Sequence, residues 1–397
     1  MRAISSREAS RGATEISAGM VVQSVHSAAG DLPPASISVV LANFNHGAFI
    51  SRALSALLAQ KPAAKEIIVV DDASTDDSVQ IVVALQSAHP SIRLMRNATN
   101  RGVVASFRSG LEAASGDYVM FASADDFVFP GLFARALACL AEFSRAAFFC
   151  SGVVLIDGKS NRVLGVRPVT TPRRGGGYVS PADVRRAIGT TDFWIIGTSA
   201  IYRRELLAEV GYRDARLGSI SDVLAGRALA FRHGFYFEPE VFAAYNKDPG
   251  SFSGRSALSL ENSQRLLQTA DAWIAENLPE DVRDDQRRSF VRRMAFGFAR
   301  LWVIWRDGAV DVGAIAEILG LGTLDRTVLH IISRIPLASS LLTLAWMTIR
   351  VRPFGVLAMA GAAWRALCFH CFGKSRVQRI VEEVARSSVA PKAVAGP

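Results

Sequence analysis

Cysteine is scarce in this 397-residue chain, and its four copies, Cys139, Cys150, Cys368 and Cys371, are too scattered for a disulfide framework. A reducing compartment suits such a composition. No apolar run reaches the roughly 18 residues of a membrane-spanning helix. The first 35 residues are rich in Ala, Ser, Gly and Arg and lack the apolar core of about 7–15 residues that secretory signals carry. They read as a disordered leader. The six histidines stand apart from one another, which excludes a His-built metal centre. Cys368-Phe-His-Cys371 lacks the second Cys pair of a zinc site. No internal repeat is present.

A basic face is also missing over most of the chain. The net charge is +9, yet from Arg287 onward there are 16 Lys and Arg against 6 Asp and Glu, so the first 286 residues sum to −1. Nucleic acid is therefore not an expected partner, because a fold that binds it carries the positive charge itself. The imbalance points to something acidic near the tail. An anionic membrane surface fits, and so does a solvated basic helical domain.

What the chain has, from residue 36, is a regular alternation of short apolar runs and helical stretches. Hydrophobic residues make up 50% of the sequence, enough for one large α/β domain with a smaller attachment. Ile37–Leu41, Glu66–Val70, Ile92–Met95 and Tyr118–Ala122 read as strands. Between them, Phe49 to Gln60, the stretch from Asp77 to about His89, and a segment through Leu111 and Ala114 read as helices. The alternation predicts parallel strands with right-handed crossovers, an open doubly wound sheet. After Pro130 the pattern loosens. A hairpin turning at Asp157-Gly158, a loop at Arg173–Gly177, a strand near Ile195 to Tyr202 and a helix from Asp222 to His233 are expected. From Ser256 onward all reads as helix.

In doubly wound sheets, ligands bind beyond the carboxyl ends of the strands. Three such ends carry polar clusters: Asn43-Phe44-Asn45, Asp71-Asp72 and Ser123-Ala-Asp125-Asp126. All three should meet along one edge. Acids at this edge suit a pyrophosphate-bearing substrate. Asp125 could hold a divalent cation that neutralises a leaving diphosphate. One of Asp71 and Asp72 could accept hydrogen bonds from a base or ribose edge. Strand-end acids also cap the helices that follow, and for Asp76 and Asp77 capping is the expected role.

Residues 36 to about 255 resemble family 2 glycosyltransferases of the GT-A fold. The resemblance rests on Ser38-Val-Val-Leu-Ala-Asn-Phe-Asn45, Ile67-Ile-Val-Val-Asp-Asp-Ala-Ser-Thr-Asp-Asp-Ser78, Asn100-Arg-Gly-Val103 and Gly116-Asp-Tyr-Val-Met-Phe-Ala-Ser-Ala-Asp-Asp126, in this order and spacing. It implies that Phe44, Asn45, Asp71 and Asp72 embrace the nucleoside of a nucleotide-sugar donor. It also makes Asp125 the last member of the metal-binding Asp-X-Asp motif, with Mn or Mg as the cation. Ser123 stands where that motif has its first acid, and Phe107-Arg-Ser-Gly110 replaces an Arg-Asn pair. Asp126 should leave the strand on the side opposite Asp125, in a supporting role.

An inverting transfer needs a base for the acceptor proton. The family's base is an acid at a helix start about 100 residues past the metal motif. Asp222 matches it, with Ser221 in place of a Glu and Asp214 in reserve. An acid in a first turn also simply complements the helix dipole. Gly197-Thr198-Ser199 would line the acceptor side, and Tyr245, Ser251 and Ser253 would form a lid. The signature and membrane spans of processive polysaccharide synthases are absent. The expected function is thus transfer of one sugar from a UDP or dTDP donor to a glycan, a lipid-linked sugar or a protein. A degenerate member that binds nucleotide or glycan without turnover is the alternative.

The expected architecture is a leader at 1–35, a GT-A-like domain with a mostly parallel sheet at 36–255, and a helical extension at 256–397. Within that extension Ile335–Ile349 and Phe354–Trp364 are apolar-rich, flanked by Arg334, Arg350 and Arg365, and carry Trp346 and Trp364. Helices lying in a membrane interface show this pattern, which would place the enzyme on the cytoplasmic face. A soluble helical domain or an interface between copies would bury the same residues.

Overall fold

The computed structural model describes residues 35–167, 175–188, 197–212, 214–248, 251, 258–304, 310–335, 338–353 and 356–387. The leader, Arg173, Arg174, Ile195, Ser253 and Phe354 lie outside them.

Strand β1 (Ile37–Asn43) is buried at every position. Such a continuous β-branched run marks a strand covered on both faces. β1 pairs in parallel with β2 (Glu66–Asp71) and β4 (Tyr118–Ser123), and β3 (Ile92–Arg96) extends the parallel block beyond β2. The crossovers are α1 (Gly47–Leu58), α2 (Ser78–Ala88) and α3 (Val103–Ala113). On α1, Ile50, Ala53, Leu54 and Leu57 are buried at helical spacing. Beyond β4 come β5 (Phe127–Val128), α4 (Leu132–Glu142), β6 (Phe148–Asp157) and β7 (Arg162–Val166). β8 (Gly177–Val179), α5 (Pro181–Ile188), β9 (Ile201–Arg203), α6 (Arg204–Leu207), α7 (Ser221–His233) and β10 (Phe235–Asn246) complete the mixed sheet. Its order is β3-β2-β1-β4-β9-β6-β10-β5, with β7 on β6 and β8 on β10.

Alternate residues of each central strand feed two cores. Val39, Leu41, Ile67 and Val69 face α1, α2 and α4, joined by Val377, Val381 and Val384 of the last helix, Lys374–Ser387. Val40, Ile68 and Phe121 face α3 and α7, and the same core takes in Leu266, Trp273, Phe290, Phe298 and Trp302 of helices Leu260–Asn277 and Glu280–Ile304. The helical tail therefore shares the sheet's core. No helix among the described residues is long and apolar enough to cross a membrane.

The hairpin at Asp157-Gly158 and the α7 stop at Gly234 stand as expected. Three features differ. Gly177 opens β8 rather than ending a loop. Near Ile195–Tyr202 a 3-10 turn, Gly197–Ser199, precedes a strand of three residues. β10, with 12 residues, has no expected counterpart. Glu238-Pro239-Glu240 breaks its alternation, and its register against β6 shifts between Glu238 and Val241. The bulge brings the Pro239 carbonyl to 2.9 Å from where a Cβ at Gly152 would lie, so β6 needs glycine there.

Candidate active site

β1, β2 and β4 end side by side, as the register pairs Asn43 with Asp71 and Ala42 with Ser123. All the expected polar clusters are thus brought to one edge. Their side chains are used differently.

At the end of β2, both acids are buried and engaged within the chain. Asp71 accepts from Asn43 Nδ2 at 2.7 Å and from the Ser74 N–H at 3.1 Å. Asp72 accepts from Asn97 Nδ2 at 2.7 Å, the Arg101 N–H at 2.8 Å and the Gly102 N–H at 2.7 Å. It thereby latches the loop that enters α3. Asn45, in a left-handed conformation at φ 55°, accepts from the Thr75 N–H at 2.8 Å and donates its own N–H to Ser74 Oγ at 3.0 Å. Phe44 is exposed. Asp77 makes no side-chain cap bond to α2. Asp76 takes that role, accepting from the Ser78 N–H at 3.1 Å, and binds the Gly47 N–H at 2.7 Å to fix the start of α1 as well.

At the end of β4, Ser123 and Asp125 are half-buried. Among the described residues, the Asp125 carboxylate is reached by one side chain, Asn246, whose Nδ2 lies at 3.5 Å. Asp126 is buried and accepts from the Asn246 N–H at 2.9 Å and Thr198 Oγ1 at 3.1 Å. Burial, then the neighbouring Asp125 charge, pushes its carboxyl well above the usual range. Both acids follow the last residue of β4, with Asp125 in a turn, and Asn246 reaches each of them.

The Gly197–Ser199 turn carries the contact across to α7. Thr198 binds Asp126, while Asp222 Oδ2 lies 2.6 Å from where a Cβ at Gly197 would be. A side chain there would have to displace the Asp222 carboxylate. Asp222 Oδ1 accepts from the Val223 N–H at 2.9 Å. Beside it, Ser221 is buried and its Oγ has no partner among the described residues. Asp214 is held elsewhere. It accepts from the Arg216 N–H at 2.9 Å and pairs with the Arg216 guanidinium at 2.8 Å. Burial pushes the Asp214 carboxyl up, but those Arg216 bonds prevail and hold it below the usual range. Tyr245 lies half-buried under the Arg167 guanidinium, 4.7 Å from the ring centre.

Two site residues carry no signal in the motifs. Arg52 is buried, with its guanidinium 4.6 Å from the Phe127 ring centre; it donates to the Asp125 carbonyl at 3.2 Å and to Asn161 Oδ1. Burial pushes its pKa down, while Asp126 and Asp125 oppose the fall. A charge beside the apolar stripe of α1 was the available clue. Asn246, at the end of β10, bonds both acids and the Gly158 N–H, the last at 2.9 Å. No group of three or more His, Cys, Asp or Glu converges among the described residues. The donor set at Ser123 and Asp125 fits a hard cation only where a bound ligand supplies further oxygens.

The chain is similar to known glycosyltransferases. Residues 38–211 match the family described as Glycosyl transferase family 2. An uncharacterized glycosyltransferase of Nostoc sp., alr2836, is 39% identical over 90 residues, 23% of this chain and 28% of its own length. The succinoglycan biosynthesis protein ExoU of Rhizobium meliloti is 30% identical over 207 residues, 50% of this chain and 58% of its own. The chain thus spans less than two thirds of these relatives. Among solved structures, S. aureus TarS 1–349 in complex with UDP-GlcNAc superposes with a TM-score of 0.53 at 19% identity, over 79% of this chain and 91% of that one. The fold shared is that of GT-A glycosyltransferases, and in this chain it is followed by helices.

Proposed function

We propose, for a chain whose residues 38–211 match glycosyl transferase family 2, inverting transfer of one sugar from a UDP- or dTDP-sugar to an acceptor hydroxyl. The acceptor would be a glycan, a lipid-linked sugar or a protein. The observation that carries this reading is the Gly197–Ser199 turn, which touches Asp126 on one side and Asp222 on the other. It sets a candidate base against the acid-bearing end of β4. The UDP-GlcNAc seen in TarS belongs to the proposed donor class.

Phe44, Asn45, Asp71 and Asp72 would frame the nucleoside. The exposed Phe44 ring is available for stacking, and the two acids hold the surrounding loops in shape. Asp125, with Ser123 beside it, would hold Mn or Mg together with the donor's phosphates, and the cation would neutralise the leaving diphosphate. Arg52, Asn246 and Thr198 would keep Asp125 and Asp126 in place. Asp222 would take the acceptor proton as the acceptor oxygen attacks the anomeric carbon. The bond from that carbon to the diphosphate oxygen breaks, and the nucleoside diphosphate leaves with the electron pair.

Binding without turnover is the second reading. It draws on the engagement of both β2 acids by the chain itself. Hydrolysis of nucleotide sugars with and without manganese separates the two. The transferase reading expects slow, manganese-dependent release of UDP or dTDP, lowered about 10²-fold or more in Asp222→Asn with donor affinity retained. Release that is absent with every donor favours the binding protein. Full activity in Asp222→Asn moves the base elsewhere, with Asp214 next to be tested.

A further inference from the structure

Away from the candidate active site, two grooves mark the helical tail. The larger, about 550 Å³, has Arg287, Arg288 and Arg292 on its wall, but also Asp271, Asp284 and Glu317. Arg287 pairs with Asp271 at 2.6 Å and Arg288 with Asp285 at 2.7 Å, so its charge is largely balanced. The second, about 510 Å³, is lined by Arg292, Trp346, Ile349, Arg350, Val351 and Arg352, with no acid. Arg350 reaches Asp325 at 3.1 Å. Among the described residues no acid pairs with Arg292 or Arg352.

Apolar rows flank this second cleft. On helix Thr323–Ser333, Leu324 is 84% and Ile331 62% exposed, seven residues apart and so on one face. On helix Ser339–Val351, Leu341 is 71% and Ile349 72% exposed, eight apart. The Arg350–Asp325 pair ties the two helices together. Val328, on the same face of the first helix as Leu324, is also exposed. Over residues 323–373 the sequence has five arginines and one acid.

We propose that this surface is a membrane-interface anchor. Its apolar rows enter the acyl boundary of an anionic bilayer, and the Arg292–Arg350–Arg352 cleft receives a phospholipid phosphate. Helices of 11 and 13 residues are too short to span and of a length to lie flat. Trp346 stands at the cleft, where its ring can sit at headgroup level while arginine stems run along the apolar boundary. Exposed apolar rows on two helices that pack together mark an interaction site. A second copy of the chain fits it poorly, because a two-fold contact would bring the same arginines against themselves. An anionic leaflet supplies the missing negative charge.

The test is flotation of the full chain with vesicles of phosphatidylcholine, either pure or with roughly one third phosphatidylglycerol. The chain should float with the anionic vesicles at low salt, detach partly at high salt, and bind pure phosphatidylcholine about tenfold less. Arg292→Glu with Arg352→Glu should lower anionic binding by about tenfold or more. Leu324→Asp with Ile331→Asp should abolish flotation at an unchanged melting temperature. A blue shift of tryptophan emission in the unmutated chain checks insertion without any substitution. The proposal is overturned if the full chain stays unbound with both lipids or the emission does not move. It is equally overturned if inorganic phosphate alone releases the chain, which makes the cleft a free-anion site. A dimer in sedimentation that dissociates in Leu324→Asp with Ile331→Asp would assign the surface to a second copy instead.

Discussion

Two Asp-Asp pairs end two parallel strands of the same sheet, and the fold treats them in opposite ways. Asp71 and Asp72, at the end of β2, accept five hydrogen bonds from side chains and N–H groups within 30 residues of themselves. Asp125 and Asp126, at the end of β4, meet partners far along the chain, Thr198 and Asn246, and among the described residues the Asp125 carboxylate keeps one side-chain contact, at 3.5 Å. A carboxylate saturated by its own loop fixes that loop. One left half-solvated at a converging edge is available for chemistry. The difference lies in the donors that the following segment brings back to each strand end.

Removing an acid from each pair should break the comparison open. Asp125→Ala should lower donor turnover most, by about 10²- to 10³-fold, with unfolding free energy changed by less than about 0.5 kcal/mol. Steady-state kinetics beside urea denaturation would read both. Asp72→Ala should act the other way round. It leaves the Arg101 N–H without its acceptor, while Asn97 Nδ2 keeps Ser106 Oγ and the Gly102 N–H keeps Asn100 Oδ1, so stability should drop by about 1–3 kcal/mol. UDP affinity should fall with it as the 97–102 loop loosens. A stable Asp72→Ala protein with unchanged UDP binding would remove the latch role.

Within the β4 pair, pH separates the buried acid from the half-exposed one. Asp126 binds its proton more tightly folded than unfolded, so its contribution to stability is fully present below about pH 4, the unfolded value. That contribution is lost as pH rises through the raised folded value. Asp126→Asn should therefore flatten the decline in stability on the alkaline side of pH 4, measured by urea denaturation across pH. If wild type and variant run parallel over that window, Asp126 is charged in the fold. Gly197→Ala should have the smallest effect of direct interest. Its methyl group would displace Asp222 Oδ2, so turnover should fall several-fold with stability nearly intact.

The parallel block was legible because β1, β2 and β4 are unbroken apolar runs that end in polar clusters, and the helices between them show regular apolar spacing. Their convergence at one edge follows from topology alone. The use of each acid was not legible. Asp71 and Asp125 look alike in sequence, and what separates them is whether Ser74 or Asn246 stands nearby, the latter 121 residues away. β10 was hidden by Glu238-Pro239-Glu240, which mimics a strand break yet forms a bulge against Gly152. Arg52 was hidden for another reason. A lone arginine on an apolar helix face does not announce which carbonyl or ring it will meet.

The most direct test of the contrast between the two pairs is calorimetric titration of manganese into wild type, Asp71→Asn and Asp125→Ala, each with and without UDP. The expected result is weak binding to wild type alone, stronger binding once UDP is present, retention of this coupling in Asp71→Asn, and its loss in Asp125→Ala. Coupling that survives in Asp125→Ala, or that disappears in a folded Asp71→Asn protein, would contradict the division of roles between the ends of β4 and β2.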